Sequence, residues 1–303
     1  LYLLGLHLRS GGGDVLHLAS CRSVLVRDCT IEGQGDIGNY DGPQEGMKVN
    51  QTQYLYVENC DISGGWDNAF DCVAVQYGHV IRSKIHRGGD WCMYVKGGSA
   101  HLRIEGNEFY DGRTGGFTAG QGTGFEYMVS PWLHYEAEDI KFVNNVVHHT
   151  GTVGLGVNGG YNILMAYNTL YKAGTNDHVI EVTQGSRSCD GDTAQCDLNH
   201  AAGGWGLSSG GDGQYIPSRN VYIFNNLIYN PPGFGNGWSH FTVPGPVTPP
   251  AGSQVPSPST VDFNLRIQGN LIWNGPVGHP LGIGEAGQGG QPSNPTCHPT
   301  LVL

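Results

Sequence analysis

One short pattern returns along the chain and constrains the fold more than anything else. It reads apolar, any residue, apolar, two variable residues, Asn, any residue, apolar. It appears as LRIEGNEF at 102–109, IKFVNNVV at 140–147, ILMAYNTL at 163–170, VYIFNNLI at 221–228 and LRIQGNLI at 265–272. Looser copies precede these, LVRDCTI at 25–31, LYVENCDI at 55–62 and VIRSKI at 80–85, with Cys29, Cys60 and Lys84 at the Asn position. The shortest spacings between equivalent positions are 23 and 24 residues. A unit that short holds only strands too small to bury a face alone. It becomes stable by stacking on copies of itself, at roughly 4.8 Å per coil. Propeller blades need about 40–45 residues each and are excluded on length. The expected architecture is all-β: a single-stranded right-handed parallel β-helix over residues 1–303, with long insertions near 123–137 and 184–217. The recurrent Asn fits a bend between strands, where its amide can bond backbone groups of a neighbouring coil.

A second short strand precedes each copy: MKV at 47–49, FDC at 70–72, MYV at 93–95, FTA at 117–119, LGV at 155–157, IEV at 180–182 and FTV at 241–243. Strand alternation sorts their side chains. Met47, Phe70, Met93, Phe117, Leu155, Ile180 and Phe241 point inward, as do Val49, Cys72, Val95, Ala119, Val157 and Val182. The residues between them form an outward column of Lys48, Asp71, Tyr94, Thr118, Gly156 and Glu181, which His17 extends. A parallel column holds Asn50, Val73, Lys96, Gly120, Asn158 and Thr183. Acid, base and phenol side chains therefore gather on one face. Gly97, Gly98, Gly120 and Gly156 leave room above it, and the insertions are placed to wall it. A groove of this kind suits a polysaccharide.

Composition agrees. Fifty glycines, 38% apolar and only 14% charged residues suit many short strands and turns. The net charge of −11 argues against a nucleic-acid binder. Ten of the fifteen Lys and Arg residues fall before position 114, however, so an acidic polymer meets a locally basic surface. Cys189 and Cys196 bracket a polar loop and read as a disulfide. Cys29 and Cys60 share a ladder position and read as stacked apolar groups or a bonded pair. A disulfide with no membrane span points to a secreted or cell-surface protein. The opening LYLLGLHL and closing PTLVL both read as strands already inside a fold, so the chain is expected to be a segment of a longer protein. Uncapped coil ends invite end-to-end self-association.

The coil pattern, from about Leu16 to Ile283, resembles the pectate-lyase-like superfamily of right-handed β-helices. That resemblance implies a scaffold shared by lyases, hydrolases, epimerases, tail spikes and adhesins. VKGG at 95–98 is similar to the Lys-Leu-Gly-Gly run of calcium-dependent pectate lyases, without its Leu. WDNAFD at 66–71 is similar to their aspartate cluster, without its Asp-Asp pair. Lys96 ahead of Asn107-Glu108-Phe109 resembles the chondroitinase B type of alginate lyase, but Thr118-Ala119-Gly120 stands where that type has Arg-His-Gly. The resemblance implies β-elimination on a uronate glycan, with Lys96, Tyr94 and Asp71 catalytic. Asp67, Asp71 and Asp90 are the expected ligands of a Ca²⁺ ion that neutralises the substrate carboxylate. Lys48, Trp66, Arg87, Trp91, Arg113, Asn158 and Glu181 are the expected substrate contacts, the tryptophans by stacking on sugar or by packing under a loop.

Two other readings stand beside this one. A glycoside hydrolase needs two nearby carboxyl groups. Asp71 and Glu181 lie four coils apart, roughly 19 Å, so Asp71 with Asp67 or Asp90 is the closer pair. A non-catalytic β-helix would be glycan-binding, adhesive or filament-forming.

Overall fold

The computed structural model describes residues 1–10, 12–35, 42, 44–205, 214–232, 234, 238–273 and 294. The closing PTLVL lies outside them, as do Ile283 and part of the 184–217 insertion. The opening residues form strands Tyr2–Leu4 and His7–Arg9.

Each coil contributes one strand to each of three long parallel sheets. The first sheet runs from Tyr2–Leu4 through Gln53–Glu58 and Ala137–Val143 to Arg266–Gln268. The second runs from His7–Arg9 to Leu271–Trp273. The third stacks Leu16–Ala19, Met47–Asn50, Phe70–Val73, Trp91–Lys96, Gly115–Gly120, Val153–Asn158, Ile180–Thr183 and Phe241–Thr242. Parallel strands one coil apart follow from the 23-residue unit, because each circuit returns the chain to the same edge. Apart from the half-buried Leu16 in the end strand, the inward residues of the third sheet are buried, and Met47, Val49, Phe70, Met93, Val95, Phe117, Ala119, Leu155, Val157 and Ile180 have no exposed surface. They share one continuous core with the inward residues of the other two sheets.

The Asn column holds the bend between the first and second sheets. Asn145 accepts the Asn107 N–H, Asn168 accepts that of Asn145, Asn226 that of Asn168 and Asn270 that of Asn226, each at 2.9 Å. The same amides donate back to the preceding coil, as from Asn145 Nδ2 to the Ile104 carbonyl at 3.0 Å and from Asn168 Nδ2 to the Phe142 carbonyl at 3.1 Å. Asn is suited to the place because one side chain carries both an acceptor and two donors. Sequence spacing assigned Lys84 to this column, and the structure corrects it to Ser83. Ser83 Oγ accepts the Cys60 N–H at 3.0 Å, and the Ser83 N–H is accepted by Asn107 Oδ1 at 2.9 Å. Lys84 points outward and is exposed. Cys29 and Cys60 do occupy the column, as buried free thiols.

The insertions fold together beside the third sheet. Gly122–Gly124 pairs with Gly185–Ser188, which pairs in turn with Gln214–Ile216. The helix Thr193–Gly203 starts at Asp192, whose Oδ1 accepts the Gln195 N–H at 3.0 Å. Cys189 and Cys196 are disulfide-bonded across its first turn. Phe125, Met128, Cys196, Trp205, Ile216 and Val255 make a second small core there. Arg187 and Glu136, both without exposed surface, form an ion pair inside it.

Candidate active site

The outward column is in the expected register. Lys48 lies opposite His17 and Asp71, and Asp71 lies opposite Tyr94. Tyr94 lies opposite Thr118, followed by Gly156 and Glu181. Lys96 lies opposite Val73, in the neighbouring column. The column is not an open groove, however. Asp71 is 1% exposed and Tyr94 4%. The insertion covers them, and what remains is a cavity of about 200 Å³, of the order of one sugar ring. Glu45, Lys48, Asn50, Asp67, Asp71, Val73, Tyr94 and Lys96 come from the coils, while Thr123, Gly124, Tyr127 and Asp190 come from the wall.

At the cavity floor, Lys48 Nζ lies 3.2 Å from Asp71 Oδ2 and 3.4 Å from Glu45 Oε1. Burial opposes the ammonium charge, but the carboxylates of Asp71 and Glu45 outweigh it and push the Lys48 pKa up, so the group stays cationic. Glu45 is 2% exposed and its pKa is raised well above the carboxyl range, first by burial and then by Asp71 and Asp67. It anchors the neighbouring coil by accepting the Asn68 N–H at 2.6 Å. Burial, with the facing Asp71 carboxylate, also raises the Tyr94 phenol, which therefore stays protonated. Asp71 Oδ1 accepts no hydrogen bond from the described residues.

Higher in the cavity, the carboxyl of Asp67 is pushed up to about 6, by burial and then by the charge of Asp90, against the pull of Lys96. Lys96 Nζ sits 4.2 Å from the centroid of the Tyr94 ring and donates to Gln121 Oε1 at 3.0 Å. Gly97 then turns the chain at φ +68°, where a Cβ would come within 2.8 Å of Val73 Cγ1. Its N–H is accepted by Glu136 Oε2 at 2.9 Å, and Thr123 Oγ1 donates to the same oxygen at 2.8 Å. The buried Glu136 thus ties the end of the Lys96 strand to the cavity wall.

The structure places Lys48, Asp67, Asp71, Tyr94 and Lys96 around one cavity. Other expected contacts lie elsewhere. Trp91 is 4% exposed and its ring lies against Gly115, so it packs and offers no face to a sugar. Trp66 is half-buried and does not line the cavity. Arg87 turns to the Gly33 carbonyl and Ser63 Oγ on the second-sheet side. Arg113 is exposed and lines a separate depression with Asp111, His149 and Lys172. Asn158 and Glu181 form their own network further along the column, with Asn158 Nδ2 donating to Glu181 Oε1 at 2.9 Å. Burial raises Glu181 to about 7. Asp90 is raised by burial and hydrogen-bonded to Thr114, outside the cavity lining.

The three aspartates do not gather into the expected calcium cage. Among the described residues, the one group of three such side chains with donor atoms within 4.8 Å of one another is Glu126 with Cys189 and Cys196, and those two sulfurs are bonded to each other. Asp71 is instead neutralised by Lys48. The three carboxyls do not converge, so the residues present do not fit a bound Ca²⁺.

Glu45, Gln121, Thr123, Tyr127 and Asp190 were not singled out from sequence. Glu45 had a signal. Asp14, Glu45, Asn68 and Trp91 are successive coil equivalents, and each of the first three side chains accepts the backbone N–H of the next, at 2.8, 2.6 and 3.0 Å.

The family model described as right handed beta helix region matches residues 7–131. No curated protein sequence matches the chain. Among solved structures, the Dettilon tailspike protein is similar at 13% identity and a TM-score of 0.45, covering 94% of this chain and 60% of that one. PfbA, a surface adhesin of Streptococcus pneumoniae, is similar at 9% identity and a TM-score of 0.45, covering 76% of this chain and 62% of that one. The A-module of the mannuronan C-5 epimerase AlgE6 of Azotobacter vinelandii is similar at 12% identity and a TM-score of 0.39, covering 90% of both chains. The chain thus spans about 60% of the tailspike and of the adhesin. Among the described residues no helix is long and apolar enough to cross a membrane. The family match and the three stacked parallel sheets identify the chain as a right-handed parallel β-helix.

Proposed function

We propose that the protein is a secreted or cell-surface carbohydrate-active enzyme, and that the Asp67–Asp71 cavity cleaves a glycan. The observation that carries this reading is a pair of carboxyl groups in one covered cavity with opposite environments. Asp67 is pushed up to about 6, so it keeps its proton to a higher pH than an ordinary aspartate and releases it as neutrality is approached. Asp71 is paired with a permanently cationic Lys48 and keeps one oxygen unfilled. Two carboxyls set apart in this way divide the labour of glycoside hydrolysis. Asp67 protonates the departing glycosidic oxygen. Asp71, too deep to meet the sugar carbon itself, takes the proton of the attacking water. Tyr94 remains protonated on the next coil, opposite Asp71.

A second reading keeps β-elimination, because the Lys96 ammonium faces the same cavity and is placed to neutralise a uronate carboxylate while Asp67 exchanges the proton. The product separates the two chemistries. Incubation with pectate, alginate, glycosaminoglycan and neutral β-glucans is expected to release saturated reducing ends from one of them. An unsaturated product absorbing in the ultraviolet assigns elimination instead. Asp67→Asn and Asp71→Asn are each expected to lower turnover by a factor of 10² or more. No product from any polymer ends the enzymatic reading, and full activity in Asp71→Asn ends the role given to Asp71.

A further inference from the structure

A depression of about 340 Å³ opens beside the cavity, over the bend between the third and first sheets. The two share a rim. Asn50 lines the cavity and Gln51 the depression, while Tyr127 of the wall lines the cavity and Val129 the depression. Gln51 clamps that rim. Its Oε1 accepts from Ser20 Oγ at 3.2 Å, and its Nε2 donates to the Tyr127 carbonyl at 3.1 Å. The lining is rich in side-chain amides. Arg22 and Gln53 come from one column, where Gln53 lies opposite Arg22 and Gln76 lies opposite Gln53. Gln53 Oε1 accepts from Arg22 Nη1 at 2.7 Å, which turns the Gln53 amide nitrogen away as a donor. Gln76 is 2% exposed, and its Oε1 accepts no hydrogen bond from the described residues. A buried amide oxygen left unfilled is unfavourable, and Gln76 lines the floor of the depression. Arg22 adds a guanidinium held over the Tyr54 ring at 4.9 Å.

We propose that this depression is a second sugar subsite, and that the glycan crosses the β-helix over the Asn50–Gln53 bend instead of running along the axis towards Asn158 and Glu181. Amide donors and acceptors with a single guanidinium suit a hydroxyl-rich sugar ring that carries at most one carboxylate. The inference rests on the glycan reading above and deepens it. The cavity holds the ring at the bond to be cut, and the depression holds its neighbour. The shortest substrate bound at full strength is therefore a disaccharide.

Binding separates the two claims. Galacturonate, mannuronate and glucose and their oligomers of two to five sugars are titrated calorimetrically against the wild-type protein, Arg22→Ala, Gln53→Ala and Glu181→Gln. On the series that binds, Arg22→Ala and Gln53→Ala are expected to weaken chains of two or more sugars about five- to tenfold, the effect of losing one polar contact. They leave the monosaccharide unchanged, and Glu181→Gln leaves all lengths unchanged. Unaltered thermal unfolding of each variant shows that the coil is intact. If Glu181→Gln weakens the longer chains while Gln53→Ala does not, the glycan runs along the axis and the crossing path is overturned, with the glycan reading intact. If the wild type binds none of the three series, the glycan reading fails and takes the subsite with it.

Discussion

Replacing Glu136 by Gln tests whether the cavity wall is held by a buried charge. Glu136 and Arg187 have no exposed surface and pair with each other, so neither charge has water to fall back on. The Glu136 carboxylate also accepts the Gly97 N–H and the Thr123 hydroxyl on one oxygen. The Gln amide keeps the volume but removes the charge, and it presents NH₂ either to the guanidinium or to those two donors. Stranding one partner of a buried ion pair costs about 3–5 kcal/mol. For a chain of this length that is roughly 2 °C of melting temperature per kcal/mol, or a fall of about 6–10 °C. Urea unfolding is followed in parallel by tryptophan fluorescence, which reports on Trp205 beneath Arg187, and by far-ultraviolet circular dichroism, which reports on the coil. The fluorescence transition is expected to move first, since the pair sits in the wall. Arg187→Met alone should cost as much, and the double variant should recover at least about 2 kcal/mol of the summed losses, because no unpaired charge is left. Additive losses, or a Glu136→Gln protein within about 1 kcal/mol of wild type, refute the argument.

Other outcomes follow from single columns. Asn168→Ala leaves the buried Asn145 N–H and Phe142 carbonyl without partners; about 2–4 kcal/mol of stability is expected to go, read by urea titration. Glu181, raised to about 7, contributes stability that is fully present below its unfolded value of about 4.3 and lost as pH rises through 7. Glu181→Gln keeps the bond from Asn158, so its stability relative to wild type should improve by about 1–3 kcal/mol between pH 4 and pH 8. Opening the disulfide with Cys189→Ser and Cys196→Ser releases a short loop in the wall, worth about 2–3 kcal/mol, and should appear in the fluorescence transition before the dichroism one. If Asp67 donates a proton, turnover falls as pH rises through about 6, and Asp67→Asn removes that limb with most of the activity.

The coil was legible because stacking writes itself into spacing. A column residue must recur about every 23 positions, and Asn107, Asn145, Asn168, Asn226 and Asn270 do so apart from insertions. Ser83 was misread as Lys84 because a serine hydroxyl replaces the amide there, although Val80 and Ile85 flank it as Ile104 and Phe109 flank Asn107. The in–out order of Lys48, Asp71, Tyr94 and Lys96 was legible from period-two alternation. Their depth was not, because it depends on Thr123, Tyr127 and Asp190, which belong to segments with no repeat. The calcium cage failed for a related reason. Asp67, Asp71 and Asp90 are close in coil height, but Lys48 takes Asp71 and Thr114 takes Asp90. Sequence proximity on a solenoid specifies the neighbouring coil and leaves the direction of the carboxylate open.

The wall is what turns a row of ionic side chains into a site. On a bare coil face, Lys48 and Asp71 would stand in water about 4.8 Å apart on neighbouring coils, where the high dielectric holds their coupling to about 1 kcal/mol. Covering them removes that screening. Burial is the leading cause of the raised pKa at Asp67, Glu45 and Tyr94 alike, with neighbouring charge second. The cover hangs on a few contacts, chiefly the Glu136 carboxylate between Gly97 and Thr123. Loosening the wall should therefore return Asp67 towards the usual aspartate range while the Asn ladder, on the other side of the coil, keeps its strength. Proton-donating capacity near neutral pH and coil stability are separable properties in this molecule, because different segments of the chain supply them.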